Sequence, residues 1–378
     1  MKIKTDRENL LEPMQKIAGV VERRQTLPIL ANILVNAGNG MVQLTATDLE
    51  VELKTEAQVE CEGEADFTLP ARKLMDICKA LPESAPITLD VSEDKVRLQS
   101  GRSRFSLSLL PARDYPVIEP TPSNNILTIK EATPSNNILT IKEATLNRLI
   151  EKTQFAMAQQ DVRYYLNGML LEINKGDLRT VATDGHRLAM SQAVNAAPEE
   201  INQQIILPRK AVLELGRLLT NNDSDIKIEL SNSYIRVLLD NAVFTSKLID
   251  GRFPEYQRVM PTGSDKEVEA EKNSLRQSLT RASILSNEKY RGIRFELKEN
   301  LLQLQAHNPE QEESEEELEV QYSGDELKIG FNAGYLLDAI NAIGEEAIII
   351  ELKDTNSSAL IYGKENEESR YVVMPMRI

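Results

Sequence analysis

Leu207-Pro-Arg-Lys-Ala-Val-Leu-Glu-Leu215 opens an amphipathic helix that runs to Leu219, and the chain writes this passage three times. Leu69-Pro-Ala-Arg-Lys-Leu-Met-Asp-Ile77 precedes it, and Phe331-Asn-Ala-Gly-Tyr-Leu-Leu-Asp-Ala339 follows in the same apolar phase. The offsets are 138 and 124. A second marker, Ala46-Thr-Asp48, Ala182-Thr-Asp184 and Ala306-His-Asn308, recurs at 136 and 124. Between the first two repeats, Thr121–Ala132 is copied without change as Thr133–Ala144. Removing those 12 residues makes both intervals nearly equal, so the copy reads as an insertion into a chain of three equivalent units.

Each repeat predicts the same order of elements. An early helix comes first: a Thr5-x-x-Glu8 capping box ahead of Leu10, Leu11, Met14, Ile17 and Val21, with Pro13 disturbing its start. Its counterparts are Leu146–Met157 and Leu275–Leu285. Alternating strands follow, at 42–46 and 178–182. The second helix lies at Leu69–Leu81, Leu207–Leu219 and Phe331–Ile343. Closing strands are expected at 87–91, 96–98, 226–230, 235–239, 348–352 and 359–362. This is an α+β fold, two helices packed on antiparallel sheet, used three times. Turn-rich breaks at 116–125 and 260–265 divide the chain into domains 1–124, 125–263 and 264–378. Ile138–Ile141 is expected to open the second domain, with the first copy left as surplus loop.

Composition narrows the function. The 378 residues carry 44 Lys+Arg against 59 Asp+Glu, a net charge of −15. No apolar run approaches the roughly 20 residues that span a bilayer. The first residues lack a signal peptide's apolar core. Cys61 and Cys78 form neither a disulfide framework nor a metal cluster, which predicts a reducing, cytoplasmic setting and no metal or cofactor. With two histidines and no phosphate-loop, zinc-protease or nucleophile-elbow motif, nothing points to an enzyme. Acidity concentrates after residue 262, where seven Glu fall within Glu310–Glu319. Basic residues recur on equivalent helices: Arg72, Lys73 and Lys79; Arg148 and Lys152; Arg209, Lys210 and Arg217; Arg276 and Arg281. They read as solvated helix faces or, taken in register, as one basic surface inside an acidic envelope.

Longer stretches are more specific. Arg24-Gln-Thr-Leu-Pro-Ile-Leu30, Gln160-Asp-Val-Arg-Tyr-Tyr-Leu-Asn-Gly-Met169, Thr180-Val-Ala-Thr-Asp-Gly-His-Arg-Leu188, Asp250-Gly-Arg-Phe-Pro-Glu-Tyr256 and Tyr371-Val-Val-Met-Pro-Met-Arg-Ile378 occur in order. With them the chain resembles the bacterial sliding clamp family, the beta subunits of DNA polymerase III, over essentially its whole length; the extra 12 residues depart from the pattern.

The resemblance implies a head-to-tail homodimeric ring of six similar domains enclosing duplex DNA. Such a clamp confers processivity by tethering polymerases through a peptide cleft. Implied partners are a second copy, duplex DNA without sequence preference, a clamp loader, and replicative polymerases, other polymerases and repair proteins carrying clamp-binding motifs. Implied DNA contacts are Arg24, Arg72, Gln160, Tyr164, Tyr165, Arg209, Lys210 and Arg217; the tyrosine pair reads as stacking surface or as packed core. The implied cleft comprises Arg163, Leu166, Thr183, Gly185, His186, Arg187, Leu188, Pro254, Arg258, Val259, Val372, Val373, Met374, Pro375, Met376 and Arg377. The implied dimer interface sets Lys73, Arg102, Arg104, Phe105 and Leu107 against Ile284, Leu285, Glu310, Glu312 and Glu316. Two rival readings remain: a hydrolase using the Asp184–His186 pair, and a sequence-specific DNA-binding regulator.

Overall fold

A computed structural model describes residues 1–21, 27–118 and 137–377. The chain forms two compact units: Met1–Glu143 with Leu213–Leu248, and Ala144–Val212 with Ile249–Ile378. Six helices are present among the described residues: α1 (Arg7–Ile17), α2 (Ala71–Ala80), α3 (Glu143–Thr153), α4 (Arg209–Leu218), α5 (Lys272–Ser283) and α6 (Ala333–Ala342).

In the first unit, an eight-stranded antiparallel sheet runs Asn137–Lys142, Asp225–Leu230, Tyr234–Leu239, Ala242–Lys247, Val51–Gln58, Met41–Thr47, Asn32–Gly38 and Ala65–Pro70. A five-stranded sheet orders Glu60–Cys61, Lys2–Asp6, Pro86–Val91, Lys95–Ser100 and Ser103–Ser108. In the second unit, the eight-stranded sheet runs Gln203–Pro208, Gly168–Asn174, Asp177–Thr183, Arg187–Ala193, Asn366–Val373, Ala359–Gly363, Ala347–Leu352 and Lys266–Glu271. A four-stranded sheet orders Glu313–Glu319, Leu301–His307, Gly292–Lys298 and Leu327–Asn332. Each eight-stranded sheet joins strands from neighbouring sequence repeats, with Phe244 opposite Leu53 in one and Leu188 opposite Val372 in the other.

Period-two patterning explains the strands. On Lys95–Ser100, Val96 and Leu98 are buried while Lys95, Arg97 and Gln99 face water. The early helices bury one stripe each: Leu10, Met14 and Ile17; Leu146, Ile150 and Thr153; Leu275, Leu279 and Ala282. Each large apolar member of such a stripe contributes about 1.5–3 kcal/mol through burial. The first residue of each early helix ties down the end of the late helix in its own repeat. Arg7 donates to the Cys78 carbonyl and Lys272 to the Ile343 carbonyl, while the Glu143 carboxylate accepts from Thr220 and Ser224.

Several sequence expectations need correction. The Thr5–Glu8 capping box does not form: Thr5 belongs to the strand Lys2–Asp6, paired with Pro86–Val91, and Asp6 occupies the cap position. The Glu8 carboxylate instead accepts the Ser84 N–H. The helix runs through Pro13, whose ring is buried. The late helices begin two residues after Leu69, Leu207 and Phe331, because those residues end the preceding strands. The helix expected to reach Met157 stops at Thr153 and continues as a 3-10 turn over Gln154–Ala156. Ile138–Ile141 does lie in the opening strand, Asn137–Lys142. The first copy, Thr121–Ala132, lies outside the described residues.

Candidate functional site

The most heavily tied loop of the second unit is the turn joining Asp177–Thr183 to Arg187–Ala193. Thr183 donates its hydroxyl to the Arg187 carbonyl at 2.6 Å and accepts the Gly185 N–H. The Asp184 carboxylate accepts the N–H groups of His186 and Arg187 at 2.9 and 3.0 Å. Gly185 has φ +88°, and a Cβ there would meet the Arg163 guanidinium at 2.9 Å, so both backbone and space require glycine. The same construction recurs at Thr47–Val51, where Leu49 takes the glycine's place at φ +77°.

Arg187 is the centre of this site, and only 13% of its side chain is exposed. Its Nε reaches Asp184, one terminal nitrogen pairs with Asp338 on α6, and the other donates to the Phe155 carbonyl at 2.8 Å. The guanidinium lies over the rings of Tyr335, at 4.6 Å, and Phe155, at 5.3 Å. His186 stacks on the other ring position, 6.5 Å from Tyr335 at 18°. Burial raises the Tyr335 hydroxyl above its ordinary pKa, assisted by Asp184. Arg163 grips Asp161 through two nitrogens, which holds the Asp161 carboxyl down to about 2.

The floor is apolar. Leu170, Val181, Leu188, Ile206, Phe253, Tyr256, Leu360 and Val372 form one buried cluster, with Tyr165 and Met260 packed against its edge. Tyr256 is anchored by its hydroxyl on Glu172 at 2.6 Å, and burial together with that carboxylate pushes it up to about 12. The final strand pairs with Arg187–Ser191, and beyond it the Met374 N–H reaches the His186 carbonyl at 3.0 Å. The Met376 N–H bonds to the Gly330 carbonyl. Met374 is exposed, and Pro375 and Met376 are half-buried.

The cleft residues expected from sequence therefore divide by role. Leu166, Leu188, Val372 and Val373 are buried floor. Thr183, Gly185 and Arg163 shape the turn. His186, Pro254, Arg258, Val259, Met374 and Arg377 are exposed, with Arg258 paired to Glu255. Sequence reading missed Tyr335, Phe155 and Asp338. Tyr335 could have been found as the aromatic that stands where Lys73 and Ala211 stand in the other repeats.

The DNA-contact candidates also divide. Arg24 lies outside the described residues. Arg72 is exposed beside a cavity of about 250 Å³ lined by Met14, Ala18, Val21 and Met75. Gln160 is exposed at φ +57°. Tyr164 is 58% exposed, while Tyr165 packs on the apolar cluster, so the pair is half surface and half core. Arg209 donates to the Met157 carbonyl, and Lys210 is half-buried. Arg217 pairs with Glu214 and donates to the carbonyls of Gln15 and Lys16. Arg148, Lys152 and Arg281 are likewise engaged, by Glu368, the Ala342 carbonyl and Glu316.

Comparison with known proteins decides the family. The N-terminal, central and C-terminal domain families of the DNA polymerase III beta subunit match residues 1–119, 140–255 and 257–377. The chain belongs to the DNA polymerase III beta subunit family, the beta sliding clamps. It is 52% identical over 373 residues to the beta sliding clamp of Pseudomonas aeruginosa, covering 98% of both chains. It is 46% identical over 379 residues to that of Escherichia coli K12, covering 100% of each. A crystal structure of the Pseudomonas aeruginosa DNA polymerase sliding clamp with ligand superposes with TM-score 0.93 at 51% identity over 100% of both chains. The Bartonella birtlesii clamp bound to griselimycin gives 0.92 at 37%, again over 100% of both. The antiparallel sheets and six helices match the clamp fold, and the clamp's role in polymerase processivity follows from membership. The relatives are clamps rather than catalysts. Among the described residues no helix is long and apolar enough to cross a membrane.

Within this clamp, the Asp184–His186 pair lacks the geometry of a catalytic dyad. The Asp184 carboxylate is taken up by two backbone N–H groups and Arg187, and the His186 ring stacks on Tyr335.

Proposed function

We propose that two copies of the chain pair head to tail into a ring that encloses duplex DNA, each copy contributing domains 1–124, 125–263 and 264–378. The observation that carries this reading is a pair of complementary edges. Among the described residues, Ser103–Ser108 pairs only with Lys95–Ser100, and Glu313–Glu319 only with Leu301–His307. Their counterparts in the other repeats are already joined, Ala242–Lys247 to Val51–Gln58 and Asn366–Val373 to Arg187–Ala193. Pairing the two remaining edges in trans removes exposed backbone donors and acceptors. Arg102 and Arg104 flank one edge; Glu310, Glu312 and the exposed face of Glu313–Glu319 flank the other. Such charge complementarity steers register. Ile284, 73% exposed, and the half-buried Phe105 and Leu285 supply apolar surface; Leu107 is buried in its own sheet, and Glu316 is held by Arg281. The exposed Lys73 adds positive charge on α2.

The ring holds DNA by threading, with sequence-independent phosphate attraction from Arg72 and its neighbours and a stacking face at Tyr164. The protein is a binding platform rather than an enzyme, works in the cytoplasm, and is placed on DNA by a clamp loader. Polymerases and repair proteins bind an extended apolar peptide over His186, Val259 and Met374, above the buried floor. Fluorescence anisotropy with a labelled pentapeptide bearing Leu and Phe anchors tests this. Met374→Ala and His186→Ala should each weaken binding about tenfold, the scale of a strong interface contact, with thermal stability unchanged. Unchanged affinity in both variants contradicts the cleft.

A further inference from the structure

Two joints inside the chain share one construction, and the repeats leave room for a third. In the first unit, the last turns of α1 and α4 meet. Arg217 on α4 donates to the carbonyls of Gln15 and Lys16, and Glu214 lies against Gly19, where a Cβ would fall 2.0 Å from its carboxylate. In the second unit, the last turns of α3 and α6 meet. Lys152 on α3 donates to the Ala342 carbonyl, while Arg187 bridges Asp338 to the Phe155 carbonyl. A helix C-terminus carries partial negative charge and unsatisfied carbonyls, so two such ends repel unless a cation stands between them. Each joint supplies one.

Repeat alignment makes the correspondence specific. Glu214 and Asp338 occupy the position of Asp76 on α2, and Arg217 that of Lys79. Gly19 and Phe155 occupy the position of Ile284, just beyond α5. The last turns left over are those of α2 and α5. Lys79 and Asp76 are exposed, and Lys79 makes no hydrogen bond or ion pair with a described residue. Ile284 is 73% exposed. Arg281 cannot serve as the cation, because Glu316 engages two of its nitrogens at 2.8 and 2.6 Å. The sizes also compensate: a long Glu214 faces Gly19, and a shorter Asp76 would face Ile284.

We propose that the last turn of α2 docks on the last turn of α5 of a second copy of the chain. Lys79 donates to its terminal carbonyls, and Asp76 lies beside Ile284. This rests on the head-to-tail pairing above, and adds to it a helix joint separate from the sheet edges.

The test uses the full chain carrying Cys61→Ser. A variant with Asp76→Cys and Ile284→Cys is treated with a short bis-maleimide, and Lys79→Met and Lys95→Met are compared by sedimentation velocity over a dilution series. A ring holds two such joints. If each weakens about threefold, a scale set by helix-end electrostatics, Lys79→Met lowers association about tenfold while Lys95→Met does not. The double-cysteine dimer should become covalently closed. If the unmodified chain dimerises but Lys79→Met associates as tightly as Lys95→Met, or the dimeric cysteine variant fails to cross-link, the joint is overturned and the sheet-edge pairing stands. An unmodified chain that stays monomeric overturns both.

Discussion

The Arg187 guanidinium pairs with the Asp338 carboxylate 151 residues further along the chain, and through it the turn after Thr183 is fixed to α6. Arg187 is mostly buried, whereas Asp338 is 47% exposed. Removing the arginine strands Asp184 and the Phe155 carbonyl as well. Arg187→Met should therefore destabilise the second unit by about 2–4 kcal/mol, near the range for breaking a buried pair. Asp338→Asn should cost under about 1 kcal/mol, since that carboxylate reaches water. Urea denaturation of both variants checks the order, and equal costs would contradict it.

The two homologous turns predict opposite effects at one position. Gly185→Ala forces a side chain into φ +88° and against Arg163, and should cost about 1–2 kcal/mol. Leu49→Gly removes the same conformational strain from a residue at φ +77°, partly offset by unfolded-state entropy, and should stabilise by up to about 1 kcal/mol. Thermal unfolding of the two variants reads both signs.

Asp161 titrates far from its ordinary 3.8 because Arg163 donates to it, which places its midpoint at about 2. A depressed carboxylate contributes stability above its unfolded pKa and loses it as pH falls through the folded value. The Arg163 clamp over Gly185 should thus persist at pH 4 and release between pH 4 and 2. Carboxyl-carbon NMR follows this directly. A midpoint near 3.8 would show that the pair does not form in solution.

Much of this was legible in the sequence because repetition constrains it. The markers at Ala46, Ala182 and Ala306 located equivalent strands, and the apolar phase at Leu69, Leu207 and Phe331 located the late helices. Local end signals were less faithful. Thr5 has capping chemistry, but pairing with Pro86–Val91 takes it into a strand first. The cations misled for a related reason. Arg217, Lys152 and Arg281 look like a solvent-facing basic set in one dimension, yet each is consumed by a carboxylate or a helix end brought near by tertiary packing. Tyr335 escaped notice because its role depends on His186 and Arg187 arriving from another repeat.

Retention on circular DNA tests the central claim most directly. Loaded on a nicked circle, the protein should stay bound through gel filtration at a salt concentration that abolishes ordinary phosphate attraction, and should be lost once the circle is cut. Equal retention on circular and linear DNA, or equal loss from both, would contradict a clamp that holds the duplex by threading.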